Sequence, residues 1–177
     1  MGDTDPWLGV APTDATDRII AFEDPSCGTC RRFHMETLPT LRRDIIGPTT
    51  SYVYRPFPIV APWGRPASHA IHATWEQNHE TTWDLIDHYY VEQGAFLTGD
   101  VITMTENFLE PTPVDEAAIV TAMEDEAYDA YIQETLQAGE DAGVAATPTF
   151  LLFSDGEYVT ELTGVQDASV FASALES

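Results

Sequence analysis

Ile19, Ile20 and Phe22 make a short apolar run of strand length, halted by Asp24-Pro25-Ser26. From Cys27 onward the pattern turns helical, with Cys30, Phe33, Leu38 and Leu41 as inward candidates. Both cysteines of the chain lie on that junction, as Cys27-Gly28-Thr29-Cys30. A cysteine at a helix N-terminus meets free backbone N–H groups and the positive end of the helix dipole, and both favour the thiolate. Cys30, one helical turn on, can reach the same sulfur, so Cys27 is placed to attack a disulfide and Cys30 to resolve the mixed product. Gly28 and Thr29 put little bulk over the sulfur. Arg31 and Arg32 follow directly, either favouring the thiolate further or facing solvent. Taken alone, the four residues leave two other readings open, half of a metal site or two incidental buried thiols.

The rest of the chain alternates strand and helix signals. Residues 1–17, rich in Asp, Thr and Pro, read as a tether or irregular lead-in. Pro39 should kink or divide the helix that starts near Cys27, and Gly47-Pro48 ends it. Ser51 to Ile59 carries a strand pattern around Tyr52 and Tyr54, with Pro56 and Pro58 pushing its far end to an edge or out of the sheet. Residues 66–93 look helical, with Ile71, Trp75, Trp83, Ile86 and Tyr90 available for burial, and residues 94–111 are ambiguous. Thr112-Pro113 carries a helix-start signal, and Tyr128, Tyr131, Ile132, Thr135 and Leu136 mark one face of a further helix. Thr149–Phe153 and Glu157–Leu162 read as two strands joined at Ser154-Asp155-Gly156, and Asp167 is a cap for a closing helix.

Charge decides which partners are excluded. Thirty Asp and Glu stand against seven basic residues, all of them Arg, giving a formal net charge of -23. Such a surface repels nucleic acid and anionic membranes. The acids are scattered, as in Glu124, Asp125, Glu126, Asp129 and Glu134, rather than gathered in a tail. With Lys absent, the pattern resembles proteins of extreme halophiles and describes the solvent more than the chemistry. A hydrophobic share of 44% suffices for a core. Two cysteines cannot frame a disulfide scaffold, and no stretch reaches the roughly 20 apolar residues of a membrane span.

A second motif, Ala146-Thr147-Pro148-Thr149-Phe150, opens a strand more than a hundred residues after the cysteines. The two motifs together, one after a short strand and one before a hairpin and final helix, resemble the thioredoxin superfamily. The helical block from about Pro62 to Asp141, and the run Phe22-Glu23-Asp24-Pro25-Ser26-Cys27, are similar to its DsbA-like branch. The resemblance covers nearly the whole chain from Arg18. It implies an α/β, thioredoxin-like fold with an inserted helical subdomain: a tether over 1–17, the first part of the domain over 18–61, the insertion over 62–140 and the second part over 141–177.

It implies, further, dithiol–disulfide exchange on protein substrates, with Cys27 as nucleophile and Cys30 as resolving thiol. Pro148 should be a cis proline against the cysteine pair, and the backbone of Thr147 should pair with an extended substrate segment. Protein thiols and disulfides are the expected substrates, a separate redox partner recycles the pair, and the chain is expected to act as a monomer. No organic cofactor and no metal are expected. An extracytoplasmic or cell-surface location is expected, with no basic-then-apolar export signal in residues 1–17, and the cytoplasm is the alternative.

Two departures from the family pattern bear on mechanism. Many relatives carry a buried acid six residues before the first cysteine, and that position here is Ala21. Glu23 can reach the same strand face, yet in so acidic a chain a surface carboxylate is the favoured reading. The dipeptide Gly28-Thr29 supplies no positive charge, which points to a couple less oxidising than DsbA itself. Thr before the proline resembles isomerase members. A reductase or isomerase using the same residues therefore stays open, as does a non-catalytic redox-sensing or metal-binding module. His69 and His72, with His79 and His88 near, read as ordinary partly buried histidines. His34 is expected to face away, since Phe33 claims the inward position. Trp75 and Trp83 are read as core and Trp63 as exposed near the site.

Overall fold

The apolar run around Ile20 becomes the centre of a sheet in the computed structural model, which describes residues 4–176. Five strands pair among the described residues: β1 (Trp7–Gly9), β2 (Asp17–Glu23), β3 (Thr50–Pro56), β4 (Thr149–Ser154) and β5 (Glu157–Thr163). Their order is β1-β3-β2-β4-β5. β2 and β3 run parallel and every other neighbouring pair antiparallel. A parallel pair needs a crossover, and helices α1 (Gly28–Glu36) and α2 (Leu38–Asp44) provide it. Pro39 divides them, standing in the first turn of α2 where its missing N–H is harmless.

Alternation along β2 sorts its residues between two cores. Ile19 and Ala21 pack with Phe33, Tyr52 and Phe150 in the larger one, while Ile20 and Phe22 join Phe57 and Val144 in the smaller. Phe33 is the hub on the α1 side, with its ring 4.5 Å from Phe150 and 6.0 Å from Phe171 of α9 (Ala168–Leu175). The β4–β5 hairpin turns at Asp155 and Gly156, both at positive φ, the backbone that a tight two-residue hairpin turn requires.

Six helices lie between β3 and β4: α3 (Gly64–Trp75), α4 (His79–Val91), α5 (Gln93–Phe96), α6 (Val101–Leu109), α7 (Glu116–Glu124) and α8 (Asp129–Asp141). The stretch that looks helical over 66–93 is divided between α3, α4 and the start of α5. Asn78 is extended and caps α4 by accepting the Thr81 N–H at 2.9 Å. The helix start expected at Thr112 falls instead at Asp115, whose carboxylate accepts the Ala118 N–H. The Thr112 hydroxyl turns back to donate to the Leu109 carbonyl at 2.6 Å, closing α6. Asp167 stands at the N-cap of α9 without a capping hydrogen bond from its side chain.

The lead-in departs most from its expectation. Residues 1–3 lie outside the described residues, but Trp7–Gly9 pair with β3, and Asp5 is buried, accepting from the Tyr131 hydroxyl at 2.6 Å. Arg55 on β3 lies 3.4 Å from the same carboxylate. A polar, proline-containing segment is held here by pairing and buried charge, which hydrophobic periodicity does not report.

Candidate active site

Cys27 is the N-cap of α1, where the extended strand backbone turns into the helix, with its sulfur accepting the Cys30 N–H at 3.4 Å. Its Sγ also lies 3.3 Å from the carbonyl of Thr147, 120 positions away in sequence. The Thr147–Pro148 peptide bond is cis. The motif residues at the two ends of the chain therefore meet at one sulfur. Cys27 is 6% exposed and Cys30 fully enclosed, while Gly28 and Thr29 between them are open to solvent. Both cysteines are free thiols.

The two sulfurs differ sharply in acidity. A hydrogen bond from the Cys30 thiol is the largest influence on Cys27 and outweighs burial; Thr147 and the backbone N–H groups of Cys30 and Thr29 add to it. The Cys27 pKa falls to about 6. Burial, first, and then the hydrogen bond to Cys27 and the negative charge of Glu23 push Cys30 well above its ordinary value. A low-pKa sulfur at the helix N-terminus backed by a fully enclosed thiol is the arrangement that one-sided nucleophilic attack requires.

A buried bracket, which the sequence reading did not single out, fixes the loop before Cys27. The Asp24 carboxylate accepts the N–H and hydroxyl of Ser26 at 2.7 and 2.6 Å, and the N–H groups of Ile59 and Val60 at 2.8 and 2.7 Å. Ser26 Oγ in turn accepts the Ala61 N–H at 2.9 Å. From the other side, Gln93 Nε2 donates to the carbonyls of Pro25 and Cys27 at 2.8 and 3.1 Å. The only sequence signal for this bracket was that Asp24 and Ser26 flank a proline; nothing marked Gln93. Gly64 lies so close that an added Cβ would collide with Asp24 Oδ1 and Ser26 Oγ. Gly64→Ala is expected to cost about 1–3 kcal/mol through overpacking, and to slow Cys27 alkylation by shifting the bracket. Denaturant unfolding and iodoacetamide labelling measure the two effects.

Glu23 is 0% exposed, and the surface reading of it is overturned. It ends β2 on the Ile19–Ala21 face, two residues beyond the position where the family pattern puts an acid. Its Oε1 accepts from the Tyr52 hydroxyl, its Oε2 accepts from the Tyr90 hydroxyl at 3.3 Å, and His34 Nε2 lies 2.9 Å from Oε2. His34 is likewise buried rather than facing away, because α1 packs on the sheet through Phe33 and on α4 through His34, whose ring lies 4.0 Å from that of Tyr90.

Other expectations fare unevenly. Arg31 Nε donates to the Tyr90 carbonyl at 2.9 Å and so ties α1 to the end of α4, while Arg32 pairs with Glu36 on the surface. Trp75 and Trp83 are core residues. Trp63, expected outside, is only 8% exposed and stacks on Phe96 at 5.1 Å; the exposed apolar side chains of its segment are Ile59 and Val60. His69 Nδ1 accepts the Tyr128 N–H, and His72 packs its ring on Tyr131 at 4.0 Å, so both join α3 to the α8 region. No group of three or more His, Cys, Asp or Glu suited to a metal ion occurs among the described residues. Nor is any described helix long and apolar enough to cross a membrane.

Comparison with solved structures finds the same fold at low identity. BdbD from Bacillus subtilis, in its oxidised form, superposes with a TM-score of 0.82 at 17% identity, over 98% of this chain and 91% of that one. The thiol-disulfide exchange protein alpha-DsbA2 from Wolbachia pipientis gives 0.77 at 20%, over 98% and 86%. DsbA2 from Pseudomonas aeruginosa gives 0.74 at 21%, over 97% and 92%. Among curated proteins, none matches the chain significantly. A family model described as Thioredoxin matches residues 3–170, nearly the whole length, and the chain therefore belongs to the thioredoxin family.

Proposed function

We propose that this chain is a thiol–disulfide oxidoreductase that hands its Cys27–Cys30 disulfide to protein dithiols. The observation that carries the reading is the placement of the two sulfurs: Cys27 caps α1 and lies 3.3 Å from the Thr147 carbonyl, while Cys30 is fully buried one turn on. With a Cys27 pKa of about 6, the reduced protein holds a thiolate at neutral pH. A pKa lowered on folding stabilises the fold fully above the unfolded value, near 9, and that contribution is lost as pH falls through about 6. At pH 7 that contribution favours the dithiol protein on the order of 1 kcal/mol, which makes the pair a stronger oxidant.

In this reading a substrate thiolate attacks Cys27, the mixed disulfide is resolved within the substrate, and a separate redox partner reoxidises the pair. Thr147 and Pro148 line the substrate groove, the Thr147 backbone pairing with an extended segment of the substrate. Glu23 exchanges a proton with Cys30. Residues 62–140 form an insertion between the halves 18–61 and 141–177 of the thioredoxin domain. The protein works as a monomer outside the cytoplasm, and its acidity suits a strongly saline medium.

Equilibration with glutathione buffers at high salt tests the direction of exchange. The expected potential lies between about -270 mV for thioredoxin and about -120 mV for DsbA. Its pH dependence should break near 6, from ~59 to ~30 mV per pH unit, as the dithiol goes from two bound protons to one. A value at or below about -270 mV would turn the reading to a reductase. Absence of any reversible two-electron transition would remove the oxidoreductase altogether.

A further inference from the structure

His34 is a buried histidine with a carboxylate near each ring nitrogen. Nε2 lies 2.9 Å from Glu23 Oε2, and Nδ1 lies 3.6 Å from Asp87 Oδ1 on α4. Glu23 is sealed in, while the Asp87 side chain is 41% exposed. Asp87 borders a cavity of about 450 Å³ between α1, α2 and α4, whose wall includes His34, Met35, Arg42 and Tyr90. The imidazole thus spans the interval between the enclosed Glu23 carboxylate and an opening on the α2–α4 side whose lining includes neither cysteine nor Thr147 or Pro148.

We infer that His34 carries protons between the Glu23–Cys30 pair and the opening at Asp87. This rests on the disulfide-exchange reading and adds to it the route by which an enclosed thiol gains and loses its proton. When a substrate thiolate attacks Cys27 Sγ of the oxidised pair, a new S–S bond forms, the Cys27–Cys30 bond breaks, and its electron pair leaves on Cys30. Cys30 takes up a proton by way of the Glu23 carboxylate, which draws on His34 Nε2, while Nδ1 takes one from the Asp87 side. The second substrate thiolate then closes the substrate disulfide and releases Cys27 as thiolate, so the substrate is oxidised and the pair reduced. When a disulfide-bearing partner reoxidises the pair, Cys30 gives up its proton along the same atoms in reverse. The ring, left with its proton on Nδ1 by the first half, is returned to the Nε2-protonated form by the second, with no ring flip.

The charged and titratable groups facing the ring are consistent with this role. Glu23 approaches from β2, with the Tyr52 hydroxyl of β3 on its other oxygen. Asp87 and the Tyr90 ring face it from α4. Arg42 of α2 holds Asp87 through paired hydrogen bonds at 2.9 and 3.2 Å and keeps it at Nδ1. Burial works against a charged ring, but Glu23 and Asp87 together outweigh it and raise the His34 pKa, so the ring is basic enough to accept a proton even while enclosed.

The test is rapid-mixing kinetics of the wild-type protein and of His34→Ala with a reduced protein substrate. The variant is expected to be at least tenfold slower, with a rate that rises with added imidazole, a molecule small enough for the cavity. Cys27 alkylation serves as the folded-state control. A variant as fast as wild type, or one slowed but indifferent to imidazole, would overturn the relay. Should the variant not fold, ¹⁵N NMR of the wild-type imidazole decides the matter. The proton distribution over Nδ1 and Nε2 is expected to differ between oxidised and reduced protein, and an identical distribution in both overturns the proposal. Failure of wild type itself to exchange disulfides would strike the parent reading, whereas wild-type exchange without these signatures strikes only the relay.

Discussion

Cys27→Ala is expected to abolish disulfide exchange, while Cys30→Ala leaves a reactive thiol that accumulates as a mixed disulfide with substrate. The first variant loses the only sulfur that both sits at the helix N-terminus and is low in pKa. The second keeps the attacking sulfur but lacks the thiol that could release a trapped substrate. The second variant has a further consequence, because the Cys30 thiol is the largest of the influences holding Cys27 down. In Cys30→Ala the midpoint of the alkylation–pH profile should move upward from about 6 toward the ordinary thiol value of 9, and labelling at pH 6 should fall several-fold. Iodoacetamide kinetics between pH 4 and 10 measure this directly. An unmoved midpoint would assign the acidity to the backbone donors of α1 instead, and residual exchange in Cys27→Ala would remove that sulfur from the reaction.

Asp24→Ala is expected to be the most destabilising single change near the site. Its carboxylate accepts four hydrogen bonds, two from Ser26 and one each from the backbones of Ile59 and Val60. Truncation leaves those donors without a partner beside a void, at roughly 1–3 kcal/mol for each enclosed group. Because the Ile59 and Val60 side chains are exposed and water can reach that edge, a total of about 3 kcal/mol is expected. For a chain of this size that lowers Tm by about 6–12 °C. Asp24→Asn, which can still accept, should recover part of the loss. A Tm within a degree of wild type for Asp24→Ala would mean that the bracket holds nothing together.

What the sequence determined by itself is local. Strand length, the halt at Asp24-Pro25-Ser26, the cysteine spacing, the division at Pro39 and the hairpin at Asp155-Gly156 are all written within a few residues of one another. Each follows from backbone sterics or hydrogen bonding that any observer of those residues can apply. Resemblance then linked the two ends of the chain, and the α/β thioredoxin-like fold follows from it.

Tertiary structure decided everything that depends on which distant groups meet. Glu23 and the carboxylates of the surface look alike in a chain with thirty acids. Only the packing of α1 and α4 over the end of β2 encloses Glu23 among Tyr52, Tyr90 and His34. Gln93 and Gly64 carry no local signature, since their importance lies in the loop they touch. Trp63 turned inward because α5 brought Phe96 against it. Burial and the pairing of polar groups are properties of the assembled chain, so a carboxylate or imidazole acquires its chemistry only when the elements around it close.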